Sequence, residues 1–543
     1  MRLKPVLYAF AAIGLLFGAD AAAQSTAITN ARIVTVSGAA IDRGTIIIRD
    51  GLIESVGANA RIPADATTID GSGLTVYPGF IDGLTNLGFP AAARPTGPTT
   101  GPGQQASQAA ASNSTYPAGL RPEENAADDI RAGEAQFESA RNAGFTTALT
   151  VNRTGVFNGH SALISLAGDS VPRMIVRSPV ALHISYNTIP GTYPGSLLGT
   201  ISAVRQMFHD ARRHQQLLRE YESNPKGMPR PAADRSLEVL IPVIEGKVPV
   251  VFNASTQNEI VRSLDLAKEF NLKTIIAGGT EIHKVIDRVK ASNASVLLSL
   301  NHPKRTTASS PEADPENLDT LRLRADVPKN ASMLAAAGIK FGFQTGAMTS
   351  FADLPANIES AVAAGLSPEA AVRAMTLGTA EIFGVADRIG SIENGKIANL
   401  TVVRGDALKK DRTVTHVFVD GKMFEIKQPA ARAAGSGSRP AGTPANVAGT
   451  YNITIAVPEQ ALTGTLNLQQ QGGVLTGTMV TQLGTTEIRD GRATPTGFSF
   501  SGSVVFGGAS IDISVAGTVT GNQISGSIDS PQGAVPFSGT KVP

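Results

Sequence analysis

From Asp129 to Phe343 the chain alternates helical periodicity with short apolar runs, and this alternation restricts the fold more than any other feature. Helical patterns over 129–143, 203–221, 259–270, 283–291 and 330–337 are interleaved with runs such as Thr146-Thr-Ala-Leu-Thr-Val151, Val248-Pro-Val-Val-Phe252, Lys273-Thr-Ile-Ile276, Ser295-Val-Leu-Leu-Ser-Leu300 and Lys340-Phe-Gly-Phe343. Short runs that are apolar throughout read as strands covered on both faces, and strands joined through helices run parallel. The fold class is therefore α/β. The number of units favours a (β/α)8 TIM-like barrel over an open doubly wound sheet, because no Gly-rich dinucleotide fingerprint follows a strand. In such a barrel the functional side chains gather at the C-terminal ends of the strands.

The flanks read differently. Residues 26–75 carry β-patterned runs, Ala31–Val36 and Gly44–Arg49, punctuated by turn signals such as Asp50-Gly51, and a similar pattern returns at Leu400–Val403 and Thr415–Phe424. These ends are expected to pair, so that 24–76 and 398–427 form one composite β-sandwich subdomain beside a barrel over 77–397. Residues 90–126 are rich in Pro, Gly, Ala and Ser and read as a long loop. An Ala/Gly/Ser/Pro-rich linker over 428–446 leads to 447–543, where alternating runs and regular turn signals predict an antiparallel all-β barrel or sandwich of about seven or eight strands.

Residues 1–23 combine Arg2 and Lys4, an apolar run Val6–Phe17 and the small residues Ala21-Ala22-Ala23. That is the pattern of a secretory signal peptide, too short to span a membrane, so a periplasmic or secreted protein with no anchor after cleavage is expected. There is no cysteine, which excludes disulfides, thiolate metal sites and a lipoprotein anchor. A net charge of +2 with no Lys/Arg cluster argues against nucleic acid as a partner.

Two motifs carry a family resemblance. Pro78-Gly-Phe-Ile-Asp82, followed by Leu84 and Asn86, and Ala380-Glu-Ile-Phe-Gly-Val-Ala-Asp-Arg-Ile-Gly-Ser-Ile-Glu-Asn-Gly-Lys-Ile-Ala-Asn-Leu400 resemble the two signatures of the amidohydrolase superfamily, in its imidazolonepropionase-like branch. The resemblance covers about residues 26–427 and implies the barrel, its β-subdomain and metal-assisted hydrolysis of C–N bonds, in amides and cyclic amides, with zinc or another divalent metal. It also implies where the metal ligands should stand: His-x-His after the first strand, a lysine after the fourth, histidines after the fifth and sixth and an aspartate after the eighth. In this chain those positions fall on Leu84 and Asn86, Asn253, Gly278 and Gly346. Lys247, the apparent fourth-strand lysine, precedes Asn253 by six residues on one run, about 20 Å below the mouth. No metal ligand and no cofactor is therefore predicted, and a metal-free ligand-binding or non-hydrolytic member is expected.

At the expected mouth, Glu281 and His302 are the candidate acid and base. Asn86, Arg153, His160, Asn253, Lys304 and Arg305 are the candidate ligand-binding residues, since cations beside amides suit a small anionic or amide-containing molecule. His209 and His214, five apart on a helix, lie on different faces and read as surface. Two other readings remain open: an active C–N hydrolase with an atypical site, and a non-catalytic partner of an active relative. Homo- or hetero-oligomers with related amidohydrolases are left open as well.

Overall fold

The structure is a computed structural model. It describes residues 25–90, 116–426 and 445–542, except 118, 134, 169, 189–192, 306–315, 347, 349, 458–459, 483, 495–496, 507–508 and 531–532. The expected leader, most of the 90–126 loop and nearly all of the 428–446 linker lie outside the described residues. The chain divides into two compact units, 1–428 and 429–543.

In the first unit, the strands between Thr26 and Pro78 share one eight-stranded sheet with those between Leu400 and Glu425. The join is an antiparallel ladder running from Leu400 opposite Pro78 to Arg404 opposite Leu74. Isoleucines 28, 33, 46, 48 and 53 pack with Val76, Leu400 and Phe418 on its buried face. The strands of the flanking subdomain are thus hydrogen-bonded into one sheet, with Thr67–Asp70 branching from Thr26–Ile33.

The central part is a wall of strands around a shared aliphatic interior. We number them β1 (Phe80–Thr85), β2 (Phe145–Thr150), β3 (Phe157–His160), β4 (Ala162–Ser165), β5 (Leu182–Ser185), β6 (Val250–Ala254), β7 (Thr274–Gly278), β8 (Ser295–Ser299) and β9 (Phe341–Gln344). β1 and β2 pair in parallel, and β5 through β9 form a parallel run. Between them the segment of β3 and β4, broken only at Ser161, runs antiparallel to both neighbours: β4 pairs with β2 and β3 pairs with β5. Only residues 151–156 separate β2 from β3. A parallel crossover needs a dozen residues or more, so so short a connection forces the chain to reverse. The uniform parallel alternation expected from sequence is corrected at this point.

Helices cover the outside. The helix Gln257–Phe270 begins with a capping box, in which Thr256 accepts from the Glu259 backbone while Glu259 reaches back to the Thr256 N–H, and ends on Asn271 in the left-handed conformation. Its buried Ile260, Ser263, Leu264, Ala267 and Phe270 follow the helical repeat and lie against the wall. Ser367 caps the helix Pro368–Met375 through the Ala370 N–H, with Pro368 in the first turn. The second motif then sends Ile382, Phe383, Val385 and Ile389 into the interior cluster with Ile81, Leu149, Leu163, Val251, Ile275 and Leu297.

The wall is not closed by a ladder: among the described residues β9 and β1 do not pair with each other and the strands form two separate sheets. Their ends are joined by a side chain instead. Asp82 is fully buried, and its carboxylate accepts from the Thr345 N–H at 2.9 Å, from the Thr345 hydroxyl and from the Leu84 N–H at 3.3 Å. Gly83 allows the approach, since a Cβ there would lie 2.7 Å from the Phe343 carbonyl oxygen.

The second unit is an antiparallel barrel of eight strands in the order Gln460–Gln471, Gly449–Val457, Gly533–Lys541, Gln523–Ser530, Ala509–Thr520, Gly497–Phe506, Arg489–Thr494 and Val474–Thr481. It closes because Gln460–Gln471 also pairs with Val474–Thr481. Tyr451, Ile453, Leu466, Phe498, Val515, Ile524 and Phe537 fill it, and the Tyr451 hydroxyl donates to the Val447 carbonyl at 3.0 Å.

Burial pushes the Asp82 carboxyl up from 3.8 to about 7, against the hydrogen bonds from Thr345 and Leu84 that favour its charged form. The folded chain thus keeps a proton that the unfolded chain releases near pH 4, so Asp82's contribution to stability falls as pH rises from about 4 to about 7. Urea denaturation should show Asp82→Asn removing this slope. Asp82→Ala, which leaves the Thr345 donors unpaired, should cost about 3 kcal/mol at pH 5.

Candidate functional site

At the C-terminal ends of the parallel strands, three polar side chains from different strands form one network. Ser185 ends β5 opposite Asn253 of β6, and Asn158 of β3 faces both. The Ser185 hydroxyl donates to Asn158 Oδ1 at 2.5 Å, and Asn253 Nδ2 donates to Asn158 Oδ1 at 3.1 Å and to Ser185 Oγ at 3.0 Å. Asn158 Nδ2 is held in turn by the Thr154 and Gly155 carbonyls at 2.9 and 3.3 Å. The reversal of β3 is what brings Asn158 to this end of the wall.

One layer below lies a residue that sequence reasoning passed over. Ala181 belongs to the interior cluster, and alternation along β5 sends His183 and Ser185 to the same side. His183 is fully buried, opposite Gly159 on one side and Val251 on the other, and neither ring nitrogen has a hydrogen-bond partner. Burial, with the nearby charges of His160 and Arg153, pushes its pKa down to about 3, so the ring is neutral at physiological pH. β5 adjoins β6 in the wall, and the β5 residue level with Asn253 is Ser185, so the fourth strand is β5 and not the run that carries Lys247. Lys247 is largely exposed and pairs with Glu245 at 2.7 Å. The available signal was a single polar residue inside the apolar run Val180-Ala-Leu-His-Ile184.

Arg153, just beyond β2, reaches across the end of β1 to donate to the Gly346 carbonyl beyond β9. A Cβ on Gly346 would lie 3.1 Å from Arg153 Nη1 and 2.7 Å from the Leu84 carbonyl oxygen. The guanidinium therefore occupies the place where the eighth-strand aspartate was expected. Among the described residues no carboxylate pairs with it.

The other expected metal-ligand positions offer no cage either. Leu84 is 2% exposed and packs with Leu149, Val151, Ala277 and Leu297. Asn86 is exposed, in a turn where its carbonyl accepts from the Phe89 N–H. Gly278 has no side chain, and Asn253 is engaged in the amide network. A divalent ion needs at least three converging oxygen or nitrogen donors; aliphatic carbon, an amide network and a guanidinium do not fit one. Among the described residues no group of three or more His, Asp or Glu side chains could hold an ion.

The remaining candidates are not drawn into this network. Glu281 accepts from the Gln257 N–H at 2.7 Å, at the start of the helix Gln257–Phe270, and from Lys284 at 2.6 Å. Burial alone would raise its pKa, but these bonds outweigh it and the net shift is downward, which suits a helix-start anion more than a proton donor. His302 follows β8 in a turn secured by Asn357 on the Leu300 carbonyl, and burial pushes its pKa down to about 4. Lys304 pairs with Asp353 at 2.7 Å, and Arg305 is exposed. His160, expected at the mouth, is corrected: on its reversed strand it stands opposite Leu182, the first residue of β5, and so at the far end. Its Nδ1–H donates to the Pro122 carbonyl at 2.9 Å. His214, read as surface, is 8% exposed, while His209 stays open.

Glu281→Ala should therefore lower stability by about 1 kcal/mol through loss of its bond to the helix start. Urea denaturation checks the loss, and a loss of ligand binding without a change in stability would contradict this placement.

A family model described as "Amidohydrolase family" matches residues 121–424, more than half of the chain. No curated protein matches. Among solved structures, an amidohydrolase from Thermotoga maritima superimposes with a TM-score of 0.61 at 22% identity, over 74% of this chain and all of that one. A putative prolidase from Bifidobacterium longum gives 0.45 at 20% identity, over 74% of this chain and 95% of that one. Phenylurea hydrolase B gives 0.46 at 17%, over 74% and 97%.

Proposed function

The chain belongs to the amidohydrolase family, and from that premise we propose that it is an exported member whose barrel binds a small anionic or amide-containing molecule without metal-assisted hydrolysis. On this reading the first unit is a (β/α)8-type barrel closed at the Asp82–Thr345 seam. The observation that carries the reading is Leu84. It stands where the family places its first metal-binding histidine and is sealed among Leu149, Val151, Ala277 and Leu297.

Without a metal to lower the pKa of a water molecule, the family's nucleophile has no source at neutral pH. What the site retains is binding chemistry. Asn253, Ser185 and Asn158 offer amide and hydroxyl groups already held in place, so little side-chain freedom is lost when a ligand arrives. Arg153, exposed beyond β2, holds a positive charge at the Gly346 carbonyl.

Elemental analysis of protein purified without chelators should find less than about a tenth of an equivalent of zinc, iron, manganese or nickel, and added zinc should leave the melting temperature unchanged. Close to one equivalent, with metal-dependent amide hydrolysis, would overturn the reading. Cell fractionation tests export, and a cytosolic location would remove that part alone.

A further inference from the structure

The second unit keeps a group of charges and a groove on different strands. Glu487, Arg489, Asp490 and Arg492 crowd into the short strands between Gly484 and Thr494. A groove of about 820 Å³ instead crosses four consecutively paired strands, Gln460–Gln471, Gly449–Val457, Gly533–Lys541 and Gln523–Ser530, and ends at Thr520. The pairing register builds its two walls. Thr463 stands opposite Thr454, Thr454 opposite Ser538 and Ser538 opposite Ser525, which makes one row. Two residues along each strand, Thr465, Asn452, Thr540, Gln523 and Thr520 make the other. Rows two residues apart are about 7 Å from each other, and strands spaced about 4.8 Å give the groove a length of about 20 Å. Between the rows, Ile453 and Ile524 turn inward to the apolar core.

The glycines of the floor are explained by packing alone. A Cβ on Gly539 would lie 2.2 Å from the Asn452 carbonyl oxygen, and one on Gly464 2.4 Å from that of Val480. Packing does not explain the polar groups beside them. Among the described residues, none of the wall side chains is hydrogen-bonded within the chain. On strands outside the groove, by contrast, the hydroxyls of Thr486, Thr494 and Ser501 donate to main-chain carbonyls at 3.3, 3.2 and 3.2 Å. The hydroxyl and amide groups of the walls are thus aligned, uncommitted and uncharged.

We propose that this groove binds a neutral, linear glycan. A hydroxyl both donates and accepts, and a side-chain amide offers two of each, so the rows match sugar hydroxyls in either sense. No charge in the walls offsets that of an ionic ligand, and no exposed apolar side chain there anchors a peptide. No aromatic ring lines the groove to stack on a sugar face. Affinity must therefore come from many hydrogen bonds made together, which requires a chain of several rings laid along the groove.

Isothermal titration of the full chain with cellohexaose, maltohexaose and hexa-N-acetylchitohexaose, beside glucose and hexagalacturonate, tests this. At least one neutral hexasaccharide should bind about ten-fold tighter than glucose and than hexagalacturonate. Thr454→Val with Thr540→Val, and separately Thr520→Val with Gln523→Ala, should each weaken that hexasaccharide about ten-fold. These four side chains are exposed and valine suits a strand, so the melting temperature should hold. Ser501→Ala, which removes a hydroxyl already bonded to the Arg489 carbonyl, should leave binding unchanged. No binding of any neutral hexasaccharide, equal binding of hexagalacturonate, or full binding in both double variants overturns the proposal. Each of these outcomes leaves the metal-free reading of the first unit in place.

Discussion

The Asp82–Thr345 contact is the interaction on which the first unit depends. A strand wall that is not closed by backbone pairing must hold its first and last strands together by other means, and here one buried carboxylate receives both donors of Thr345. Everything at the mouth follows from that closure. Leu84 and Gly346 are brought together two residues beyond Asp82 and one beyond Thr345, and the span that Arg153 bridges is set by the same seam. The carboxyl is fully buried, and loss of water pushes its pKa up against the hydrogen bonds that favour its charged form.

The interior divides the space at the strand ends between two kinds of side chain. Metal ligands would place several polar atoms around one point; in this chain that point is divided between an aliphatic cluster around Leu84 and a guanidinium against Gly346. The guanidinium places a positive charge, fixed to the chain, at that seam. His183, on β5, stays buried with neither ring nitrogen bonded.

The alternation of helices and apolar runs could be read from the chain because both carry strong periodicity: the helix Gln257–Phe270 and strands β6 to β9 fall within a few residues of their expected places. The two family motifs could be read because Asp82, Gly83 and the interior residues of 380–400 have specific packing tasks. The β3–β4 segment could not. Phe157-Asn-Gly-His-Ser-Ala-Leu-Ile-Ser165 mixes turn formers with apolar residues, and its direction is decided by the brevity of the connection before it, which periodicity does not weigh. That one reversal misplaced His160 at the mouth and concealed the partnership of Asn158 with Ser185. Asn253 was found because it ends an apolar run, while His183 was missed because it sits inside one. Glu281 carries the same local pattern whether it serves a helix start or a reaction, and only its partners, Gln257 and Lys284, separate the two.

The second unit joins Gln460–Gln471 back to Val474–Thr481, so its sheet has no terminus of its own apart from the four-residue strand Gly484–Glu487 laid beside it. Open sheets recruit neighbours through unsatisfied main-chain groups, and a closed one has almost none to offer. A molecule that meets this unit therefore encounters side chains rather than peptide bonds. Residues on its outer face can therefore be exchanged with the strand ladder left as it is.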